Sequence, residues 1–240
     1  MSVADMNRTN RVVELLMGEA ENSEGTLSVS LVCRVALSAL GVDGAAVSAI
    51  VDGSAQSSVF ATGEDCRKLE DLQYTLSEGP SVYSHSHGAP VFVSDTDFHD
   101  SRWPLFGASA AEMGVGALFA FPLRSGAVPI GVFEVHRSRS EALTNGQLGS
   151  ALILADIISV LLLSPNGEGD QDAVEEALTS ERQTEVHQAT GMLSVQLEVT
   201  LADALARLRA RAFTDDVSVS AMAREIVQRR LRLDGGGTNV

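Results

Sequence analysis

The order of apolar patterns along the chain is the feature that most restricts its fold. A helical pattern over about residues 26–40 precedes the strand-like runs, and a second helical pattern, from Thr144 to Leu163, follows them. The strand-like runs are Gly44–Val51, Ser57–Thr62, Pro90–Val93, Val115–Pro122 and Pro129–His136. Helical patterns over 64–76 and 108–113 interrupt these runs. The order predicts an α+β fold in which helices pack on a mostly antiparallel sheet.

A polar stretch over residues 164–170 is predicted to separate two domains. Its proline stops the preceding helix, and its glycines favour a linker. We therefore predict a first domain over 1–163 and an all-α domain over 171–240. An apolar stripe from Val174 to Leu197 begins the second domain, and Thr200 with Asp203 predicts the N-cap of the next helix. The residues expected to be buried by the last two helices are Leu201, Leu205, Leu208, Ala212, Val219, Met222, Ile226 and Val227.

The charge of the chain is strongly negative but unevenly distributed. Its 17 basic residues, all arginine except Lys68, stand against 32 acidic residues, which gives a net charge of −15. Polyanions repel such a chain as a whole. Residues 199–233 nevertheless contain 7 arginines against 4 acidic residues, a local balance of +3. Nucleic-acid binding is therefore disfavoured for most of the chain and permitted in its last helices.

The arginines of this last region recur at helical spacing. Arg207 and Arg211 are four residues apart and share a helix face, while Arg224 and Arg232 form a similar line on the next helix. Guanidinium groups present a planar set of donors that suits phosphates and base edges. The alternative is a solvated helix face whose arginines pair with nearby acids such as Glu225. Spacing alone favours this alternative.

The first domain shows no convincing catalytic constellation. His85 and His87 alternate in a segment interpreted as extended, so they would face one side, which permits a metal but fits a surface loop better. Trp103 and Phe106 either line a pocket or close one end of the sheet, and they lie in a stretch, 95–107, interpreted as rich in loops. Glu78 flanks a turn without an identifiable catalytic partner. We therefore expect no enzyme activity and no metal site, and we identify no cofactor.

The chain carries no visible signal for export or membrane insertion. Its N-terminus has no apolar segment of the kind found in secretory signals. The apolar run Ala151–Leu163 contains Asp156 and, with 13 residues, is too short to span a bilayer. Two cysteines, Cys33 and Cys66, are too few for a disulfide framework. These features predict a cytoplasmic protein that does not bind membranes.

The segment Val186–Leu233 combines small residues and leucine–arginine pairs at characteristic spacing. These residues are Ala189, Gly191 and Met192, then Ala204, Leu208, Arg209 and Ala212, and finally Val219, Ala223, Ile226 and Val227. On them the segment resembles the ANTAR family, three-helix output domains of bacterial transcription antitermination regulators. The resemblance implies binding to loops of RNA hairpins, where unpaired bases are accessible. The RNA-binding residues that it implies are Gln188, Ala189, Thr190, Gly191, Arg207, Arg209, Arg211, Arg224, Arg229 and Arg230. Thr190 replaces a lysine of many members and so removes a phosphate contact.

A second set of residues lies in the predicted first domain. It comprises Glu78-Gly79-Pro80, Trp103-Pro104, Pro122 at a strand end, and Ile130-Gly131-Val132. On these residues the region 25–163 resembles the GAF domain family, sensory modules often placed before ANTAR domains in actinobacterial regulators. The resemblance implies a pocket for an unknown small molecule over the sheet, bordered by residues 64–113. The residues that would line it are Ser81, His85, His87, Trp103 and Phe106.

Together, these features predict a signal-responsive RNA-binding regulator that acts by transcription antitermination. The alternative is a ligand- or redox-sensing module that binds proteins and not RNA. The apolar stripe Val174–Leu197 and the helix over 144–163 predict a homodimer, in which two output domains bind two RNA loops together. A small molecule or a sensor protein would supply the input signal.

Overall fold

The computed structural model describes residues 3–22, 27–51, 55–94, 102–163 and 181–233. The chain divides into two compact units, Met1–Gln73 with Ser77–Leu178, and Tyr74–Leu76 with Thr179–Val240. The helices are α1 (Val3–Asn22), α2 (Val29–Leu40), α3 (Glu64–Leu76), α4 (Pro80–His87), α5 (Pro104–Glu112), α6 (Asn145–Leu163), α7 (Glu181–Leu197), α8 (Leu201–Thr214) and α9 (Val219–Val227). The strands are β1 (Gly44–Val51), β2 (Ala55–Ala61), β3 (Val91–Ser94), β4 (Ala117–Ser125) and β5 (Val128–Arg137). The predicted linker over 164–170, and residues 171–180 after it, lie outside the described residues.

The described strands of the first unit form one antiparallel sheet in the order β2-β1-β5-β4-β3. The predicted α+β class with an antiparallel sheet is therefore confirmed for this unit. Successive side chains of a strand point to opposite faces of the sheet. On β5, Phe133 and Val135 enter the main apolar core, whereas Glu134 and His136 lie on the other face. The two faces consequently differ in chemistry.

Three helices cover the apolar face of the sheet. α2 and α6 pack against the strands, and α1 packs against both helices. α2 begins at Ser28, whose side chain accepts a hydrogen bond from the Leu31 amide at 3.2 Å, and it ends at Gly41 in the left-handed conformation. The core between the helices and the sheet includes Val32, Leu40, Val47, Phe119, Phe121, Phe133, Leu154 and Ile158. Both predicted flanking helices are confirmed.

Helix α6 is longer than the apolar run that the sequence analysis considered. It has 19 residues and, by length and composition alone, is the one described helix that could cross a membrane. A core helix of a globular unit satisfies the same criterion. α6 buries Ala151, Leu154 and Ile158, and it contacts α2 and β4 within the first unit.

The second face of the sheet carries α3 and α4, and here two predictions are wrong. The segment around His85 and His87 is not extended, because Pro80 begins a helix and Gly88, with φ of 60°, ends it. The predicted loop over 95–107 already contains the start of α5 at Pro104. Residues 95–101 of that stretch, with His99 and Asp97, lie outside the described residues.

The described residues of the second unit, 181–233, form three helices around a small aliphatic core. Val186, Ala189 and Leu193 of α7 pack with Leu208 of α8 and Ile226 of α9. The predicted N-cap is confirmed, since the Thr200 side chain accepts a hydrogen bond from the Asp203 amide at 3.1 Å. The expected burial of Leu201 is wrong, because its side chain is 61% exposed in the first turn of α8. Ala204 takes the buried position on that turn.

Candidate functional site

A buried polar cluster lies between the second sheet face and the helices α3 and α4. Glu134, at the middle of β5, is 4% exposed. Its Oε2 accepts hydrogen bonds from the Ser81 hydroxyl and, at 2.6 Å, from the Gln73 amide nitrogen. The Gln73 side-chain oxygen in turn accepts from the Ser81 backbone amide at 2.8 Å. The Glu134 carboxyl group thus links strand β5 to the helices α3 and α4.

A second buried carboxyl, Glu70, belongs to the same helix as Gln73. It is 7% exposed, and its Oε2 accepts from the Ser58 hydroxyl at 2.7 Å. Its Oε1 has no hydrogen-bond partner among the described residues. Burial raises the pKa of Glu70 well above its usual value, and the nearby Glu134 raises it further. Burial also raises the pKa of Glu134, although the bonds from Ser81 and Gln73 oppose that shift.

A thiol and an imidazole meet beside these carboxyls. Cys66 Sγ lies 3.8 Å from His136 Nδ1 and 3.4 Å from the Thr62 hydroxyl. Burial raises the pKa of the Cys66 thiol and lowers the pKa of the His136 imidazole. A thiol with a raised pKa is mostly protonated at neutral pH and is a poor nucleophile. Burial thus keeps the Cys66 thiol less ionised than that of an exposed cysteine.

The predicted aromatic residues Trp103 and Phe106 lie at the start of α5. Trp103 and Phe106 are both buried, and the ring of Tyr83 meets Trp103 edge-on with centroids 5.8 Å apart. His87 stacks on Tyr83 with centroids 3.7 Å apart, and the guanidinium carbon of Arg102 lies 4.5 Å from the Trp103 ring centroid. These contacts form an aromatic corner beside the polar cluster.

The histidines that were considered as a pair point in different directions. Residues two apart on a helix are separated by about 200° around its axis. His85 is half-buried and its pKa is lowered by burial, whereas His87 is exposed. Within the described ranges, no group of three histidine, cysteine or acidic residues is arranged to hold a metal ion.

Glu78 connects the turn before α4 to the start of α5. Its Oε1 accepts hydrogen bonds from the amides of Leu105 at 3.0 Å and Phe106 at 2.9 Å, so it caps the first turn of α5. The adjacent Gly79 has φ of 129°, a conformation that strongly favours glycine. The Glu78-Gly79-Pro80 motif therefore joins the start of α4 to the start of α5.

Sequence analysis missed the two carboxyls and identified only Ser81 of their hydrogen-bond network. A signal for Glu134 was nevertheless available. It is the one acidic residue in β5 and interrupts the apolar run Val132–Val135, and His136 follows on the same face. Polar residues at alternate positions of a buried strand indicate a functional or specific structural role. Glu70 gave no comparable signal, because an acidic residue is ordinary on a charged helix such as α3.

The residues implied for RNA binding are not equally accessible. Those with exposed side chains are Gln188, Arg207, Arg211, Arg224, Arg229 and Arg230. Gly191 and Arg209 are half-buried, while Ala189 and Thr190 are buried. The Thr190 hydroxyl donates to the Val186 carbonyl at 2.7 Å, within its own helix. Ala189 and Thr190 therefore contribute to the core of the unit.

Ion pairs hold half of the exposed arginines of the second unit. Arg211 pairs with Asp215 at 2.7 Å, Arg224 with Glu185 at 3.0 Å, and Arg230 with Glu225 at 2.6 Å. The exposed arginines without an acidic partner among the described residues are Arg207, Arg229 and Arg232. The hydrogen bond from Arg230 lowers the pKa of Glu225, as expected for an ion pair. The ion pairs with nearby acidic residues that the sequence spacing predicted are thus present for three of these arginines.

Comparison with solved structures identifies a fold. A GAF domain of a phosphoenolpyruvate-protein phosphotransferase from Coxiella burnetii is 15% identical, covers 70% of this chain and 99% of its own, and gives a TM-score of 0.52. The GAF domain of the Acinetobacter phosphoenolpyruvate-protein phosphotransferase is 13% identical over 67% of this chain and 94% of its own, with a TM-score of 0.47. A phycocyanobilin-bound GAF domain from a cyanobacterial phytochrome is 12% identical over 67% and 94%, with a TM-score of 0.43. At these identities the likeness shows the fold alone.

Comparison with protein families assigns the first unit. No curated protein matches the chain. The helices α7–α9 have no assigned family. The GAF domain family matches residues 28–162, which include every strand of the sheet and the polar cluster. Because this match covers more than half of the chain, the protein belongs to the GAF domain family of sensory modules.

Proposed function

We propose that this protein is a signal-responsive RNA-binding regulator that acts by transcription antitermination. The GAF domain receives the signal, and the helices α7–α9, which resemble an ANTAR domain, bind the loops of RNA hairpins. The observation that carries the proposal is the pair of exposed arginines Arg207 and Arg229, which have no acidic partner among the described residues. They belong to the stretch 199–233, which holds 7 arginines against 4 acidic residues in a chain whose net charge is −15.

The ion pairs of the neighbouring arginines do not prevent phosphate binding. Exposed ion pairs contribute only about 0–1 kcal/mol each. A phosphate group can therefore replace Asp215 on Arg211 or Glu225 on Arg230 at small cost, with charge-assisted hydrogen bonds in return. Both pairs are at least one-third exposed on each side. The surface then provides up to five arginines for an RNA backbone.

The signal is proposed to be a small molecule bound near the polar cluster and the aromatic corner. Ser81, His85 and Trp103 lie around this part of the GAF domain, as the sequence resemblance implies. Buried groups such as the Glu70 carboxyl supply the polar contacts that orient a ligand in a mostly apolar surrounding. We propose no enzyme activity, a cytoplasmic location, and a homodimer; sedimentation equilibrium at micromolar concentration tests the last of these.

The experiment is a gel-shift titration with a tandem-hairpin RNA over a salt series. We expect binding at about 50 mM salt that weakens as salt rises, since phosphate contacts release counterions. Arg207→Gln and Arg229→Gln should each weaken binding and reduce the salt slope by about one. Arg139→Gln, an exposed arginine of the GAF domain, is the matched control and should behave as the wild type. Absence of binding at low salt would refute the proposal.

A protein-interaction module without RNA affinity is the second candidate. The ion pairs of Arg211, Arg224 and Arg230 favour it, because they satisfy half of the exposed arginines within the unit. The same titration separates the two functions. A folded protein that binds no hairpin RNA at low salt supports the second candidate.

A further inference from the structure

The second unit contains an open groove between helix α7 and the segment that follows α9. Its volume is about 610 Å³. Met192 and Val195 of α7 form one wall, and Ile226 with Leu231 forms the other. The Gln196 side-chain amide donates to the Leu233 carbonyl at 2.6 Å and so holds the segment after α9 against α7. The groove is therefore built into the folded unit.

The walls expose apolar side chains to solvent. Exposed positions of a helix are usually occupied by polar residues. Val195, however, is 81% exposed and Met192 is 36% exposed. Leaving such groups in water forgoes the stabilisation that burial would provide. Adjacent exposed apolar side chains that line a concave surface are typical of an interaction site.

Gly191 forms part of the floor, and nothing in the fold requires a glycine there. A Cβ atom at this position would meet no atom within 4 Å, and the residue lies within the regular helix α7. Glycine in a helix interior destabilises it by about 0.5–1 kcal/mol relative to alanine. A larger side chain at this position would project into the groove. The small residue at this position therefore leaves space in the groove that a side chain larger than alanine would occupy.

The rim of the groove is positively charged. Arg229 and Arg232 border it, and both are exposed. None of the lining residues is acidic, and neither arginine has an acidic partner in the part of the chain that the structure describes. An apolar groove with two cations at its rim fits an anionic amphipathic occupant.

We infer that this groove docks an amphipathic helix of a partner protein, with apolar side chains against Met192 and Val195 and acidic side chains against Arg229 and Arg232. Helices that bind in grooves use this arrangement of apolar anchors and charged flanks. Unpaired bases are a poorer fit, because bases stack on aromatic side chains and the lining contains none. The inference does not depend on RNA binding. Since Arg229 also belongs to the proposed RNA surface, the partner and RNA compete for it.

The test is fluorescence anisotropy of the full chain with two synthetic peptides. Each has about 14 residues, four helical turns; one is an amphipathic helix of leucine and glutamate, and the other has lysine at every glutamate position. We expect the glutamate peptide to bind at least about tenfold more tightly than the lysine peptide. Gly191→Leu should weaken glutamate-peptide binding about tenfold or more by filling the groove. Arg229→Gln and Arg232→Gln should each weaken it about three- to fivefold.

Matched variants separate the groove from general effects on folding and charge. Gly191→Ala adds one methyl group without a clash and should bind within about twofold of the wild type, as should Arg139→Gln in the GAF domain. Val195→Gln, at a highly exposed position, removes an apolar contact without touching the core and should weaken binding. It keeps the test decisive if Gly191→Leu fails to fold. Equal affinity for both peptides, or unchanged affinity of Val195→Gln and the two rim variants, overturns the inference. Binding of hairpin RNA in the groove without binding of either peptide also overturns the inference.

Discussion

Glu70→Gln provides the sharpest test of the polar cluster in the GAF domain. The pKa of the buried Glu70 is raised well above its usual value of 4.5, so the folded protein holds a proton there that the unfolded chain loses as the pH rises. Each pH unit over which only the unfolded chain is ionised decreases the free energy of unfolding by about 1.4 kcal/mol. The wild type therefore loses stability as the pH rises from the usual pKa of a glutamate towards the raised pKa of Glu70.

A glutamine at this position imitates the protonated side chain and cannot ionise. The Ser58 hydroxyl, 2.7 Å from Glu70 Oε2, can still donate to the amide oxygen. We therefore expect Glu70→Gln to be more stable than the wild type at pH 7, with a difference that grows by at most about 1.4 kcal/mol per pH unit above pH 4.5 and is smallest at low pH. The effect is lost at low pH because both states of the wild type are then protonated.

The assay is urea unfolding at several pH values, followed by the fluorescence of Trp103. Trp103 is the single tryptophan, and it is buried in the GAF domain, so its emission reports that unit alone. Glu112→Gln, an exposed glutamate of α5, is the matched control and should leave the pH dependence unchanged. A Glu70→Gln protein that is less stable than the wild type at pH 7, with an unchanged pH dependence, would refute the reasoning.

Two further stability predictions concern the turn before α4 and the core of the second unit. Gly79→Ala should destabilise the GAF domain by about 1–3 kcal/mol, because φ is 129° and the new Cβ would approach the Gln73 side chain to 2.7 Å. Urea unfolding measures this, and Gly63→Ala, with no neighbour within 4 Å and an extended φ of −165°, should show a clearly smaller loss. Leu208→Ala should destabilise the second unit by about 2–5 kcal/mol, and the exposed Leu201→Ala by less than about 0.5 kcal/mol. Far-UV circular dichroism follows the helices, and unchanged Trp103 fluorescence shows that the GAF domain remains folded.

Most of the GAF-domain fold can be predicted from local sequence patterns. Nearly continuous apolar runs rich in β-branched and aromatic residues, such as β4 and β5, and the capped helix α2 carry enough local signal to identify their type. The segment Pro80–His87 was misread because its serines and histidines show no clear period. It is helical because Pro80 and Gly88 delimit it and because Ser81 and Ser84 are small enough to pack against the sheet.

Only part of the polar cluster can be predicted from the sequence. Glu134 and His136 alternate on β5, and that alternation can be read from the sequence. Glu70, Gln73 and Ser58 come from separate elements, and no spacing rule links them to Glu134. The groove of the second unit has the same character, since Gly191 and Arg229 are 38 residues apart in the chain.

The sequence by itself determined the kinds of elements, their order and the uneven charge, because these depend on neighbouring residues and on the periodicity of the backbone. Only the tertiary structure decided which carboxyls are buried together, which arginines are paired and which apolar side chains of α7 remain exposed. Those properties depend on distances between residues that are far apart in the chain. Burial and pairing change the pKa of a group and its availability to a partner, so the chemistry of both candidate sites follows from the packing.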